Sequence, residues 1–542
     1  MTVLPTITFD TTLADLYRRA SPKLADMRIA QVFCLVHSGS ELTTNIPRNA
    51  KYLYQDSPFN AVPKDPSCSR PPGHNDNHHD DRSQHQQNLA AKYLSLIPQR
   101  DAFISGDTPV ILFHLSNSTR QKSHDRSEAQ KTLSVLATPQ RPDLIFCPGP
   151  SEIPVKQAGI DRIACKFVPD GLETYKNLVV PPELQWFLNS KAALARSGLP
   201  TPRSEIIELD GLAGDAWACC DGCDGVDAAE FVIPVSCTGR RGRWYEEQNE
   251  RIYADIASHL LPFVLKNQQT LGGAGTYIIN TEVEREKLVT DFRDGILRKL
   301  LSSVTESNAH LRPAALILSD LVECPVGNYG LTFFVTDDGS DPIFLAASEQ
   351  MTDGHSAWIG STIDYRRQEQ LEKRFGPLVK KIATWLRMHG YVGPAGADVL
   401  ETAPATPASS KMNRTTNGST NGATNGFHNG GTNDASDFTN LHIVDLNIRT
   451  SGSMCLPLLK THFTSRGLWI GSFFSISYKQ GRDAFIESFR EEFEAGRMCL
   501  ISWYEDPDTS ASLADVAVGA EDADGLRGAM RRVRDATEEV TF

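Results

Sequence analysis

The stretch LPFVLKNQQTLGGAGTYII, residues 261–279, carries the strongest local signal in the sequence. An apolar run ends at Lys266, a loop with Gly272, Gly273 and Gly275 follows, and a second run of β-prone residues begins directly after it. The pattern predicts two strands joined by a glycine-rich turn. Glycine lets backbone N–H groups approach a polyphosphate, and a lysine on the preceding strand neutralises its charge. The loop is neither GxxxxGK[ST] nor the GxGxxG that opens a Rossmann helix, and a plain hairpin is the alternative.

Two later segments place polar side chains on strands. GYVGPAGADVLE puts Asp398 on a short strand, and LHIVDLNIRTSGSMCLPLL puts Asp445, Asn447 and Arg449 at alternate positions of another. Since strand side chains alternate between two faces, the last three point the same way. Carboxylate and amide oxygens suit Mg²⁺, and a neighbouring arginine binds a phosphoryl oxygen. A polar face of an exposed strand is the alternative. The apolar neighbours argue against it, because buried unpaired acids are costly.

Composition and charge limit the class of protein. The chain has 542 residues, and 54 Lys+Arg against 67 Asp+Glu give a net charge of −13. This charge argues against binding nucleic acid, or a membrane, by neutralising phosphates. With 40% hydrophobic and 22% charged residues, the composition is that of a globular protein. The sequence shows neither a secretory signal nor an apolar run of about 18 residues, so we expect a cytoplasmic protein.

The N-terminal region predicts a parallel α/β layer. Short apolar runs at 29–40, 109–118 and 143–148 end in turn residues and are separated by helix-like stretches, as buried parallel strands are. Two polar segments, about 63–87 and about 403–440, contain too little apolar surface to fold, and we expect disordered insertions. The second is flanked by strand-like sequences, so we expect it to join two adjacent strands.

The eleven cysteines are an odd number, and most are scattered. WACCDGCDG groups Cys219, Cys220 and Cys223 and contains a CxxC. A zinc site requires a second pair or histidines at ligand spacing, and the neighbouring sequence offers neither. The pattern therefore predicts small buried side chains in a reducing compartment rather than a metal or redox centre.

Taken in order over about residues 182–475, these elements resemble the ATP-grasp superfamily of carboxylate ligases, with the layout of D-alanyl-D-alanine ligase and related amino-acid ligases. LNSKAALARSGLPTPRSEII is similar to the family helix that supplies a first ATP lysine, here Lys191. Lys266 and the glycine loop are similar to the second lysine and the lid. ALILSDLVECPVGNYGLTFFV resembles the hinge that binds adenine.

The resemblance implies roles residue by residue. The residues that it implies for ATP are Lys191, Lys266, Gly272, Gly273, Gly275, Asp320, Leu321, Val322, Glu323 and Asn328. Those for Mg²⁺, one or two ions with Mn²⁺ as an alternative, are Asp398, Asp445 and Asn447. Arg449 and Lys266 are the implied catalytic residues, and Glu349, His355 and Arg466 are candidates for the substrate pocket. A solvated loop histidine and a capping or surface arginine are the alternatives for the last two.

Three positions depart from the family pattern. Asp445 stands where the middle metal ligand is usually glutamate, and Ser319 stands where a glutamate that faces adenine is common. Asn328 lies near the usual glutamate that binds ribose, and Glu323 is a candidate for that contact. The insertion between the two metal strands is also longer than is usual in the family.

The expected fold class is α/β (α+β). A Rossmann-like domain precedes an ATP-grasp fold of two α+β subdomains. We expect the first domain over 1–180, a small lid subdomain over 181–315 and a large subdomain over 316–475. A C-terminal α/β appendage is expected over 476–542.

The resemblance implies an ATP-dependent carboxylate–amine ligase. ATP phosphorylates a carboxylate, an amine displaces phosphate from the acyl phosphate, and ADP is released. The expected partners are small carboxylic acids and amines, amino-acid-like or of secondary metabolism, with neither nucleic acid nor membrane, and the chain is expected as a monomer or homodimer. The NG-rich insertion is typical of fungal proteins. The alternatives are an ATP-binding regulatory or degenerate protein without ligase activity and an adenylate-forming ligase that releases AMP.

Overall fold

The computed structural model describes most of the chain outside the long polar insertions. The described residues are 4–33, 51–54, 98–114, 118–214, 219–224, 232–269, 275–337, 339–352, 358–404, 438–507 and 511–537. The segment 63–87 and almost all of 403–440, both expected to be disordered, lie outside the described residues. Gly272, Gly273 and His355 also lie outside them.

The first sheet has four parallel strands in the order β3-β2-β1-β4. The elements of this layer are α1 (Leu13–Ala20), β1 (Ile29–Val32), β2 (Pro109–Phe113), α2 (Thr119–Leu133), β3 (Asp143–Cys147) and β4 (Arg162–Cys165). The first three strands confirm the predicted parallel layer, since β1 and β2 are buried along their whole length. Sequence analysis missed β4, whose four residues begin with a charged one. A capping box of Thr12 and Asp15 fixes the start of α1.

The second sheet is antiparallel in the order β5-β8-β6-β7. Its elements are α3 (Pro182–Leu188), α4 (Lys191–Arg196), β5 (Ser204–Ile207), α5 (Asp221–Asp224), α6 (Arg240–Ser258), β6 (Phe263–Asn267), β7 (Thr276–Ile279), α7 (Glu282–Asp291), α8 (Leu297–Ser302) and β8 (Leu316–Asp320). The predicted hairpin over 261–279 is confirmed, because β6 and β7 pair with Lys266 opposite Thr276. Leu265 and Leu318 face a core that α6 covers with Ile252 and Ile256. We call this unit the small subdomain.

The third sheet has eight antiparallel strands in the order β13-β12-β9-β10-β11-β14-β16-β15. Its elements are β9 (Gly327–Val335), β10 (Ile343–Thr352), β11 (Trp358–Asp364), α9 (Gln368–Met388), β12 (Gly393–Glu401), β13 (Leu441–Asn447), α10 (Cys455–Leu458), α11 (Lys460–Thr464), β14 (Ile470–Tyr478), α12 (Arg482–Ser488), α13 (Arg490–Glu494), β15 (Met498–Glu505), β16 (Ser512–Ala520) and α14 (Ala523–Ala536). Helix α9 packs Phe375, Leu378 and Ile382 against Leu331 and Val399 on one face. The strands before and after the long insertion, β12 and β13, pair directly with each other, as the sequence predicts.

The strands divide among the sheets differently from the expected domain limits. β8, expected at the start of the large subdomain, pairs with β5 and β6 of the small one. The C-terminal residues, expected as an appendage, add β15 and β16 to the edge of the large sheet, where β16 pairs with β14. The confirmed class is therefore a parallel α/β layer followed by two α+β units, each built on an antiparallel sheet. Across the described parts of the chain, every helix is too short or too polar to cross a bilayer.

Candidate active site

Two carboxylates face each other across the paired strands β12 and β13. Asp398 and Asp445 are direct cross-strand partners, and the next pair in this register places Ile443 opposite Val399. Val444 is therefore an extra residue, a β-bulge that changes which face the following side chains occupy. Before the bulge Ile443 lies in the core, and after it Leu446 does. The bulge thus turns Asp445 away from the core and towards Asp398.

Two lysines reach the same place from the small subdomain. Lys191 is the first residue of α4, after the cap Ser190, and its Nζ lies 2.5 Å from Asp445 Oδ1. Lys266 Nζ donates to the carbonyl oxygen of Val444, the bulge residue, at 2.6 Å. Gln268 lies two residues after Lys266, and its backbone carbonyl oxygen accepts from the backbone N–H of Lys191 at 3.1 Å. It therefore links the segments that carry the two lysines. The side chain of Lys191 is 7% exposed and that of Asp445 25% exposed.

Arg449 lies beside the carboxylates and is held on two sides. Its Nη2 donates to Asn447 Oδ1 at 2.7 Å, and its Nη1 donates to Asn189 Oδ1 at 2.7 Å. Asn189 also accepts from the backbone N–H of Ile448 at 3.0 Å, so it fixes the end of β13 as well as the guanidinium. The guanidinium carbon stands 5.2 Å from the ring centre of Phe167, just after β4 of the first sheet. All three sheets therefore border this site.

Asp398 is oriented by two amides. Its Oδ1 accepts from Gln350 Nε2 at 2.5 Å, and its Oδ2 accepts from Asn447 Nδ2 at 3.3 Å. Gly330, the partner of Asp398 on β9, leaves room for this contact, since a Cβ there would lie 3.0 Å from Gln350 Nε2. We call Lys191, Lys266, Asp398, Asp445, Asn447 and Arg449 together the charged cluster.

The acids of the charged cluster repel each other and its lysines lie close together, and these charges act with burial to shift the pKa values of Asp398, Asp445 and Lys266. Burial, followed by the charge of Asp445, raises the pKa of Asp398 to about 6. Burial also acts to raise the pKa of Asp445, but the charges of Lys191 and Lys266 outweigh it and lower that pKa. Burial, with the charge of Lys191, lowers the pKa of Lys266 to about 8. Two opposed acids sharing an environment repel each other, which a divalent cation relieves.

The donor set fits Mg²⁺. Asp398, Asp445 and Asn447 offer two carboxylates and one amide oxygen from adjacent strands, and hard oxygen ligands are what Mg²⁺ takes. Three cations against two carboxylates, 3 minus 2, leave a formal charge of +1 on the cluster. A divalent ion held here would make the cluster more positive, and a positive site attracts a polyphosphate.

The predicted hinge follows β8 and connects the small sheet to the large one. Ser319 is buried, and its Oγ lies 2.8 Å from Ser204 Oγ. A pair of hydroxyls therefore stands where a glutamate that faces adenine is common in the family. Leu321 and Val322 are half-buried, whereas Asp320 and Glu323 are exposed.

Of the remaining nucleotide-binding candidates, two lie in described strands or turns. Asn328 is half-buried on β9, opposite Leu400. Gly275, with φ +63, ends the glycine loop, and its carbonyl oxygen accepts from Asn267 N at 3.0 Å. Gly272 and Gly273 fall on residues that are not described.

Two of the substrate candidates lie away from the charged cluster. Glu349 is the neighbour of Gln350, so it points to the opposite face of the sheet, where its carboxylate pairs with Arg367 at 2.9 Å. Arg466 donates to the carbonyl oxygen of His462 at 2.5 Å and closes the end of α11, which supports the capping interpretation. His355 is among the residues that are not described.

Sequence analysis missed three residues that position the cluster: Asn189, Gln268 and Gln350. Each is an uncharged amide whose role depends on a partner far away in sequence. The one local signal is the run NQQ at 267–269, three buried polar residues at the end of an apolar strand. Buried amides of this kind are hydrogen-bonded, and therefore mark a place where distant segments meet.

Comparison with known proteins gives distant structural likenesses. No family model and no curated protein matches the chain. The chain is similar to an N5-carboxyaminoimidazole ribonucleotide synthetase in its ADP complex, with 11% identity, 99% of each chain covered and a TM-score of 0.45. It is similar to N5-carboxyaminoimidazole synthase from Aspergillus clavatus with ADP and 5-aminoimidazole ribonucleotide, with 8% identity, 73% of this chain and 92% of that chain covered and a TM-score of 0.40.

A third likeness is to the biotin carboxylase domain of the Hydrogenobacter thermophilus 2-oxoglutarate carboxylase, in complex with MgADP, ADP and bicarbonate. It has 12% identity, covers 80% of this chain and 85% of that chain, and has a TM-score of 0.38. At these identities and TM-scores, what the chain does is inferred from its own residues.

Proposed function

We propose that the chain is an ATP-grasp ligase that uses ATP to join a carboxylic acid to an amine. The observation that carries the proposal is the charged cluster itself. Three cations and two carboxylates come together from α4, β6, β12 and the end of β13. So many charges, one buried and four half-buried, are costly to a structure that has no use for them. Phosphoryl transfer with a metal ion is a use that requires all of them.

The lysines are placed to bind the phosphates of ATP. Lys191 and Lys266 approach from the small subdomain, and the first loop glycine, Gly272, follows Lys266 by six residues in the sequence. Asp398, Asp445 and Asn447 would hold Mg²⁺, which neutralises charge on the phosphoryl oxygens when bound. The contact between Lys191 and Asp445 then opens, so that each side chain meets its own ligand.

The adenine is proposed to lie against the small sheet and the hinge. Register places Val264, Lys266, Ile317 and Ser319 on one face, opposite to the core face of Leu265 and Leu318. Since Lys266 reaches β13, this face looks towards the large sheet. Its apolar residues suit the faces of a base, and the hinge backbone offers hydrogen bonds to its edge.

The reaction transfers the γ-phosphoryl group of ATP to a carboxylate oxygen of the acid substrate, which forms an acyl phosphate and ADP. The amine then attacks the acyl carbon, the C–O bond to phosphate breaks, and the amine loses a proton as the amide forms. Lys191, Lys266 and Arg449 stabilise negative charge on the transferred group, and no covalent bond to the protein is needed. Asn189 and Asn447 hold the Arg449 guanidinium ready for this role.

The substrates are proposed to be a small amino-acid-like or secondary-metabolite acid and an amine. The test is incubation of the purified chain with Mg²⁺, ATP and pooled amino acids and small carboxylic acids, with nucleotide products resolved by mass spectrometry. We expect ADP and phosphate that depend on an added acid. AMP would instead indicate adenylation, and ATP binding without either product across successive pools would indicate a degenerate protein.

A further inference from the structure

Four cysteine sulfurs lie together in the small subdomain, outside the charged cluster. Cys219, Cys220 and Cys223 come from the segment around α5, and Cys237 comes from the segment that leads into α6. The Sγ of Cys237 is 3.6 Å from that of Cys219, 3.7 Å from that of Cys220 and 3.4 Å from that of Cys223. The Sγ atoms of Cys220 and Cys223 are 3.8 Å apart, and all four lie within 4.8 Å of one another.

These separations are those of a thiolate tetrahedron around one metal ion. With Zn–S bonds of about 2.3 Å, the edges of a regular tetrahedron are about 3.8 Å long. A disulfide would bring two sulfurs to about 2.0 Å. An iron–sulfur cluster spreads its cysteines over several irons, which holds the thiolates further apart. A single tetrahedral ion with soft ligands is the arrangement that fits, and Zn²⁺ is the ion that prefers it.

The charges around the sulfurs fit an anionic centre. Helix α6 starts at Arg240, and its first turn holds Arg240, Arg241 and Arg243 without an acidic residue. Cations are unfavourable at the positive end of a helix dipole, so this turn needs an anion beside it. Arg241 is 6% exposed, its Nη1 lies 3.9 Å from Cys223 Sγ, and its backbone N–H donates to Cys219 Sγ at 3.3 Å. Four thiolates with one Zn²⁺, −4 plus 2, carry a formal charge of −2, which is favourable beside the positive end of the helix.

Two glycines allow the helix to approach the cysteines. A Cβ on Gly239 would lie 2.5 Å from Cys219 Sγ, and one on Gly242 would collide with the carbonyl oxygen of Cys237. The first turn of α6 therefore packs closer to the cysteines than a side chain at either position permits. Four protein ligands fill all the positions around a tetrahedral ion, which is typical of structural rather than catalytic zinc.

We propose that Cys219, Cys220, Cys223 and Cys237 bind one Zn²⁺ in a structural site that fastens the segment after β5 to the start of α6. Binding releases the thiol protons and leaves the ion no open position. Helix α6 packs on the sheet that carries Lys266, so the site stabilises the subdomain that supplies this lysine. Sequence analysis expected no metal here because Cys237 stands alone in the sequence. Folding alone brings it to the other three.

The test is the metal content of the full chain, purified without chelator and measured by inductively coupled plasma mass spectrometry. We expect about one zinc ion per chain. Modification of the thiols by an organomercurial should release this zinc into a chromogenic chelator. Protein loaded with Co²⁺ instead should show the visible absorption of cobalt bound to thiolates in a tetrahedron.

Matched serine variants locate the ion. Cys223→Ser and Cys237→Ser should each lose the zinc and unfold at a lower temperature, whereas Cys324→Ser, an exposed cysteine outside the group, should keep both the zinc and the Tm. The proposal would be overturned if the wild-type protein held no zinc or held iron in its place. It would also be overturned if both Cys223→Ser and Cys237→Ser retained the zinc. If a variant fails to fold, the zinc content of the wild type and the zinc that the organomercurial releases from it decide the question.

Discussion

The charged cluster and the four cysteines both gather ligating side chains, but they are assembled in opposite ways. The cysteines lie between residues 219 and 237, and their sulfurs lie within 4.8 Å of one another around one point. The charged cluster draws on residues from 191 to 449, and its side chains pair with one another around a partly exposed carboxylate. The first arrangement suits an ion that stays, and the second suits ligands that arrive and leave.

The difference also separates stability from activity. A closed site stabilises the fold, because an ion bound only by the native state shifts the folding equilibrium. The charged cluster instead contains opposed acids and a lysine whose pKa is lowered to about 8 by burial. Such an arrangement costs stability, and we expect the binding of phosphate and metal to offset that cost. Changes in the two regions should therefore affect different measurements.

The largest expected effect is on turnover. Lys266→Met removes a cation that we propose faces the transferred phosphates, and we expect kcat/KM to fall by about 10³-fold or more. The zinc content should stay unchanged. Lys287→Met is the matched control, since Lys287 lies in the same subdomain but pairs with Asp291 on an exposed helix face. Steady-state kinetics and metal analysis on both proteins make the comparison. Equal turnover in the two variants would contradict the assignment of Lys266.

A smaller effect concerns the free energy of unfolding alone and depends on His462, which lies beside Arg466. Burial, followed by the charge of Arg466, lowers the pKa of His462 from 6.5 to about 4. Between these values the unfolded chain binds a proton that the folded chain does not, so stability falls as pH drops from 6.5 towards 4. The loss from this group reaches about 3 kcal/mol.

Urea unfolding across this pH range tests the effect of His462. His462→Gln should flatten the pH dependence relative to the wild type, while His310→Gln, which changes a half-exposed histidine, should not. An identical slope for the wild type and His462→Gln would show that His462 titrates normally in the folded protein.

The smallest expected effect distinguishes two neighbouring residues on opposite faces of β10. Gln350 donates to Asp398, so Gln350→Ala should lower kcat/KM by about 10- to 100-fold, as loss of a partner that orients a metal ligand does. Glu349 is 57% exposed and pairs with Arg367, so Glu349→Ala should leave kcat/KM within about twofold of the wild type. The opposite ranking of the two variants would support Glu349 as a residue of the substrate pocket. It would also show that Gln350 does not contribute to the site.

Sequence analysis predicted the elements whose signal is local. The hairpin over 261–279 follows from an apolar run, glycines and a second β-prone run, and the parallel layer follows from short buried strands. The pairing of β12 with β13 was also readable, because strand-like sequences flank the long insertion. In each of these cases the hydrophobic pattern and the turn residues lie within a few positions of one another.

What the sequence did not reveal depends on partners that are distant along the chain. Strict alternation places Ile443 and Asp445 on one face, and the bulge at Val444 separates them, with Ile443 in the core and Asp445 in the site. Asn189 and Gln350 look like ordinary amides until folding places them beside Arg449 and Asp398. Cys237 likewise becomes a candidate metal ligand only when folding places it beside the other three cysteines. A periodic pattern contains no information about such contacts.

All the proposed roles depend on binding of ATP together with Mg²⁺ by the charged cluster. Isothermal titration of ATP into the wild-type chain and into Asp445→Asn, each with and without Mg²⁺, tests it most directly. We expect one saturable site in the wild type that requires Mg²⁺ and is lost or greatly weakened in the variant. ATP binding of equal strength in both proteins, or no binding to the wild type with Mg²⁺ present, would show that the charged cluster is not the ATP site.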